Sequence, residues 1–122
     1  RICVTSDLGT PWKEHLTSHA VLTEPTCMAS VHKHVYRAED GSRKTLLAFF
    51  NPDSYQSRDH LTLKLSFDNG MTWPEKYWLT LDDWGGFGYS CITSIDEDTL
   101  GIVYEGSGAQ LVFQQIRWKD LL

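Results

Sequence analysis

Ser66-Phe67-Asp68-Asn69-Gly70-Met71-Thr72-Trp73 decides how the rest of this 122-residue chain reads. The octet has the form Ser-x-Asp-x-Gly-x-Thr-Trp, and each fixed position has a local job. The Asp68 carboxylate can accept backbone N–H bonds from residues further on and close an Asx-type turn. Gly70 supplies a positive φ that a residue with a Cβ resists. Trp73 is large and apolar with one N–H to satisfy, which suits a lid over the turn. Just upstream, Leu61-Thr62-Leu63-Lys64-Leu65-Ser66-Phe67 alternates apolar and polar with period two, the mark of a half-buried strand. The octet is therefore a hairpin turn leaving a strand.

This pattern is an Asp-box, and a weaker copy lies upstream. Thr5-Ser6-Asp7-Leu8-Gly9-Thr10-Pro11-Trp12 keeps the Asp, the Gly and the Trp, with Thr for Ser and Pro for Thr. Aligning Asp7 with Asp68 gives a period of roughly sixty residues, near the upper end of what one blade of a β-propeller needs. Two boxes at that spacing point to a repeating all-β array.

Composition sets the outer bounds. A length of 122 residues with 41% apolar content allows one domain with a real core. No apolar run of about 18 residues exists, so the sequence predicts no membrane span. A net charge of −5 and no basic stripe argue against a nucleic-acid partner. The chain opens at Arg1 without Met or an apolar leader, so it reads as the middle of a protein. Cys3, Cys27 and Cys91 are odd in number, without metal-ligand spacing, and read first as buried thiols; a Cys3–Cys27 or Cys27–Cys91 bridge is the minority alternative. His32 and His34 alternate on one strand face, but no third ligand sits at useful spacing, so they read as exposed histidines.

The strands follow in order. Residues 13–24 hold a short outer strand and a connection, and 27–32 an inner strand. The Asp-Gly at 40–41 turns the chain into 45–50, an apolar run buried on both faces. Residues 51–60 form a polar loop, 61–67 the strand before the main box, and 76–81 the outermost strand. The Gly-rich stretch 82–88 allows close backbone approach. Residues 89–94, 99–105 and 110–116 complete the array. No internal boundary or linker interrupts it.

With these pieces in place, the chain resembles the C-terminal part of a bacterial-type exo-α-sialidase (neuraminidase). The resemblance rests on the two Asp-boxes, on Arg58 in a loop before Gly88-Tyr89-Ser90, and on Leu100-Gly101-Ile102-Val103-Tyr104-Glu105, and it covers essentially the whole chain. It implies about two blades of a six-bladed β-propeller built from antiparallel four-stranded blades, residues 1–122 being one part of that catalytic domain.

By resemblance Tyr89 is the nucleophile of a retaining glycoside hydrolase that removes terminal α-linked sialic acid. The chemistry favours a phenol: the anomeric carbon of a sialic acid bears a carboxylate, which would repel an attacking Asp or Glu. Arg58 corresponds to one of three arginines that clamp the substrate carboxylate, a task suited to a planar, permanently charged fork. Glu105 corresponds to the carboxylate that orients another of these arginines, and without that partner it is expected to be unpaired or rearranged. Met28 is a candidate for lining the pocket. Asp7 and Asp68 stay out of the site, since box turns lie on the outer rim. The general acid, the base and the other two arginines have no counterpart here, so the piece alone is expected to be inactive. The resemblance implies no metal or cofactor, sialylated glycans as ligands, and a secreted or periplasmic location. Open sheet edges call for the rest of the propeller, or another copy, as a partner. The alternative is a non-catalytic Asp-box propeller that binds a glycan or a protein.

Overall fold

A computed structural model describes all residues, Arg1–Leu122. It contains nine strands: β1 (Cys3–Val4), β2 (Lys13–Glu14), β3 (Ser30–Arg37), β4 (Arg43–Pro52), β5 (Leu61–Ser66), β6 (Trp78–Asp82), β7 (Ser90–Ser94), β8 (Thr99–Glu105) and β9 (Leu111–Arg117). They form a two-stranded sheet β1-β2, a four-stranded sheet β3-β4-β5-β6 and a three-stranded sheet β7-β8-β9. Every pairing is antiparallel between neighbours in sequence. Four antiparallel strands in sequential order are the unit of a propeller blade. The all-β expectation is met.

Alternation in β4 explains the core. Leu46, Ala48 and Phe50 point one way, onto Ile92 of β7 and Leu100, Ile102 and Tyr104 of β8. Phe49 points the other way, onto Leu22 and Trp73. The run 45–50 is thus buried on both faces, as an uninterrupted apolar strand should be. Polar groups join the two inner strands: Ser30 Oγ lies 2.8 Å from Ser90 Oγ, and the Ser94 hydroxyl lies 2.8 Å from ring nitrogens of both His32 and His34.

Strand β5 departs from the half-buried reading, because all six of its residues are buried. Its apolar side feeds the main core. Its polar side is covered too, and each side chain there has a partner. Thr62 Oγ1 donates to His60 O at 2.7 Å, and Ser66 Oγ donates to Asp68 Oδ1 at 2.8 Å. Lys64 is fully buried and donates to Val21 O at 2.9 Å and Asp53 Oδ1 at 2.7 Å, with its ammonium 4.0 Å from the centre of the Trp78 ring. Period two was the right signal, but it reports which residues are polar, not which are wet.

Three other expectations need correction. His34 is buried, its ring nitrogens 2.8 Å from Ser94 Oγ and 3.0 Å from Glu97 O. The three cysteines are free thiols, but Cys3 and Cys91 are exposed and only Cys27 is half-buried. Both exposed thiols lie on sheet faces that nothing in this chain covers. The inner strand also starts at Ser30, three residues later than read. Thr26 has φ 55°, and Cys27 N donates to Glu24 Oε2 at 3.2 Å, so a turn occupies the expected beginning.

The Ser66–Trp73 turn joins β5 to the short helical turn Glu75–Tyr77 and β6. Asp68 Oδ1 accepts Thr72 N at 2.9 Å, Asp68 Oδ2 accepts Thr72 Oγ1 at 2.6 Å, and Gly70 N donates to Ser66 Oγ at 2.9 Å. The Thr72 hydroxyl and N–H, then the Ser66 hydroxyl, hold the Asp68 carboxyl down at about 2. Trp73 closes over the turn with its indole N–H on Gly70 O at 3.0 Å. The upstream copy joins β1 to β2, with Asp7 Oδ1 accepting Gly9 N at 2.9 Å. There Trp12 is exposed, so no lid forms.

Candidate functional site

The site lies at the end of the sheets opposite the Ser66–Trp73 turn, where β4 and β8 finish and β5 and β7 begin. The length of β5 separates the two ends, roughly 20 Å at the usual rise per residue. Asp68 is accordingly remote from the residues described next.

Arg58 belongs to the loop after β4, which is pinched shut by Asp53 N donating to His60 O at 3.0 Å. At the neck of that loop the Asp53 carboxylate also accepts the Thr23 hydroxyl and the buried Lys64 ammonium. Arg58 is tied to the neighbouring glycine-rich loop twice. Its carbonyl accepts Gly86 N at 3.0 Å, and its Nη1 donates to Phe87 O at 3.1 Å. One of its five N–H donors is therefore used within the chain, and the guanidinium forms no ion pair.

Tyr89 immediately precedes β7, and Glu105 ends β8. Their backbones pair, Glu105 N donating to Tyr89 O at 2.9 Å. The Glu105 carboxylate turns back to accept Tyr89 N at 3.3 Å. Arg58 Cζ stands 5.6 Å from the centre of the Tyr89 ring, within the range in which a cation is attracted to an aromatic face. Tyr89 itself is about half exposed.

The structure thus brings Arg58, Tyr89 and Glu105 together from three separate loops and strand ends. Met28 is placed differently. It lines a cavity of about 280 Å³ with Arg1, Glu24, Cys27 and Ser30, among others, and none of the three clustered residues borders that cavity. Cys27 links the two, its Sγ lying 3.6 Å from the same Phe87 carbonyl that Arg58 holds. Burial pushes the Cys27 thiol up, against the pull of the nearby Arg58 charge.

Sequence reasoning missed Cys27 and the Phe87 carbonyl, although Gly85-Gly86-Phe87-Gly88 carried a signal. A Cβ at Gly86 would come 2.7 Å from Gly106 O, and one at Gly88 would come 2.8 Å from Pro52 Cγ, with φ +84° at Gly88. Only glycine fits such an approach. A roomier concavity, about 970 Å³, opens at the other end between Tyr36, Phe67, Tyr77 and Trp118. On its rim Arg37 pairs with Glu97 at 3.8 Å and Lys119 with Asp98 at 2.6 Å. The smaller exposed cluster around Tyr89 is the better candidate, because it sets a guanidinium that forms no ion pair beside a half-exposed phenol.

No protein-family model matches the chain. Two curated proteins named sialidase do. One, from Bacteroides fragilis (strain YCH46), is 40% identical over 121 residues, 99% of this chain and 22% of its own length. The other, from Micromonospora viridifaciens, is 31% identical over 120 residues, 97% of this chain and 18% of its own length. The chain therefore spans about a fifth of the curated relatives it matches. Among solved structures, the Hadza microbial sialidase Hz136 superposes with a TM-score of 0.85 at 43% identity, over 98% of this chain and 23% of that one. No helix here is long and apolar enough to cross a membrane.

Proposed function

We propose that this chain is a part of the catalytic propeller of an exo-α-sialidase, a glycoside hydrolase that releases terminal α-linked sialic acid from glycoconjugates. Homology to proteins named sialidase over nearly all of its length supports the general activity. The observation that carries the residue-level reading is the Arg58 guanidinium standing 5.6 Å from the Tyr89 ring, with most of its donors free.

In this reading Arg58 takes the substrate carboxylate in its fork and so holds the anomeric carbon near the Tyr89 hydroxyl. The Tyr89 phenol gives up its proton to a base as it attacks. The bond from the Tyr89 oxygen to the anomeric carbon forms as the glycosidic bond breaks. The departing sugar oxygen takes a proton from a general acid. Water then attacks the same carbon, the aryl ether bond breaks, and the phenol regains its proton. Two inversions give net retention. The base, the acid and two further arginines belong to other parts of the parent protein. Glu105, which accepts Tyr89 N in this chain, would exchange that contact for one of those arginines. Met28 lines an adjoining surface. The Ser66–Trp73 and Thr5–Trp12 turns are structural boxes on the outer rim, and the parent acts on external glycans.

The test is to give the full-length protein an α-sialoside and follow the sugar by proton NMR. The α-anomer of free sialic acid is expected first, with the β-anomer growing in by mutarotation. First release of the β-anomer would contradict retention, and no release would contradict the activity.

A further inference from the structure

We propose that Trp84 is a specificity-determining residue for the leaving group, its indole serving as a platform for the neutral hexopyranose to which the sialic acid is joined. The inference rests on the sialidase reading above. It begins with an indole that the fold does not use. Trp73, Trp78 and Trp118 each donate their indole N–H to a backbone carbonyl at 3.0 Å. Trp84 donates to nothing and is 76% exposed, among the largest apolar groups left in water on this chain.

Its backbone is nonetheless fixed. Asp82 Oδ1 accepts Trp84 N at 3.0 Å, while Asp82 Oδ2 accepts Ser107 N at 2.8 Å. Two residues on, Gly86 N is bonded to Arg58 O, and Phe87 O holds the Arg58 guanidinium. An anchored loop that presents an idle tryptophan is thus fastened directly to the residue that grips the substrate carboxylate. Phe87, between Trp84 and Tyr89 in the chain, also leaves its ring exposed. With the carboxylate on Arg58 and the anomeric carbon at Tyr89, the leaving sugar must project away from both. One face of a pyranose carries mainly C–H bonds and stacks on an aromatic ring. Asp83, exposed beside Trp84 and without a hydrogen-bond partner, disfavours an anionic leaving group such as a second sialic acid.

The experiment compares kcat/KM of the full-length protein on a sialyl-hexoside and on methyl α-sialoside, whose leaving group is too small to reach a platform. Trp84→Ala is expected to lower the ratio of the two about five- to tenfold, and Trp84→Phe to restore most of it. A ratio unchanged within twofold overturns the proposal, whether both substrates slow together, as they would if the parent buries Trp84 for structural reasons, or neither does. A wild-type protein that turns over neither sialoside overturns the sialidase reading instead, and this proposal with it.

Discussion

Lys64 shows most sharply how one residue can serve fold and site together. An ammonium with no exposed surface must be paired, because stripping it of water costs several kcal/mol, roughly, when nothing compensates. Burial lowers its pKa and the Asp53 carboxylate opposes that shift, so the pair at 2.7 Å keeps the charge in place. Asp53 is also the neck of the Arg58 loop. Lys64→Met should cost about 2–3 kcal/mol by urea unfolding, since it leaves Val21 O without its donor and Asp53 without its counter-charge. No loss of stability would mean the loop is held by other contacts. The sequence could not show this. Lys64 sits on the polar side of a clean alternation, and its partners lie 11 and 43 positions away. Arg58, Tyr89 and Glu105 were legible only through resemblance, because nothing in their local patterns requires that they meet.

Among the elements, the Ser66–Trp73 turn was the most legible, since every bond it makes is encoded within eight residues. Its Asp68 is the group whose ionisation matters. The carboxyl is lowered from 3.8 to about 2 by its Thr72 and Ser66 donors, so the charged form is favoured in the folded chain. A lowered acid contributes stability at pH values above its unfolded pKa and loses it as pH falls through the folded value. The difference in thermal midpoint between wild type and Asp68→Asn should therefore be largest above about pH 4 and shrink toward pH 2. A difference independent of pH would mean the turn is held by shape instead of charge. The upstream copy was legible only in part. Asp7 and Gly9 do as expected, but Trp12 finds no surface to cover, since the sheet it joins has two strands. Strand order was readable from turn chemistry, and the late start of β3 was not, because the Glu24–Cys27 bond gives no signature in single-residue propensities.

At the scale of the whole molecule, apolar residues stay exposed on strands of both larger sheets. Val31 and Val35 on β3, and Leu111 and Phe113 on β9, leave apolar side chains in solvent. In the reading proposed above, the remaining blades of the parent cover these faces and supply the acid, the base and two arginines. Cys3 and Cys91 have the neighbours of buried cysteines, yet both are exposed in this chain; in the same reading the other blades of the parent would cover them. The proposed mechanism turns on the Tyr89 oxygen, and one measurement reaches it directly. The full-length protein would be treated with a 3-fluorosialosyl fluoride, which forms the covalent intermediate but slows its hydrolysis, then digested and mapped by mass spectrometry. The expected result is one sialosyl adduct on the peptide containing Tyr89, absent from an Arg58→Ala variant at the same exposure. An adduct on a carboxylate elsewhere, or undiminished sialidase activity in Tyr89→Phe, would contradict it.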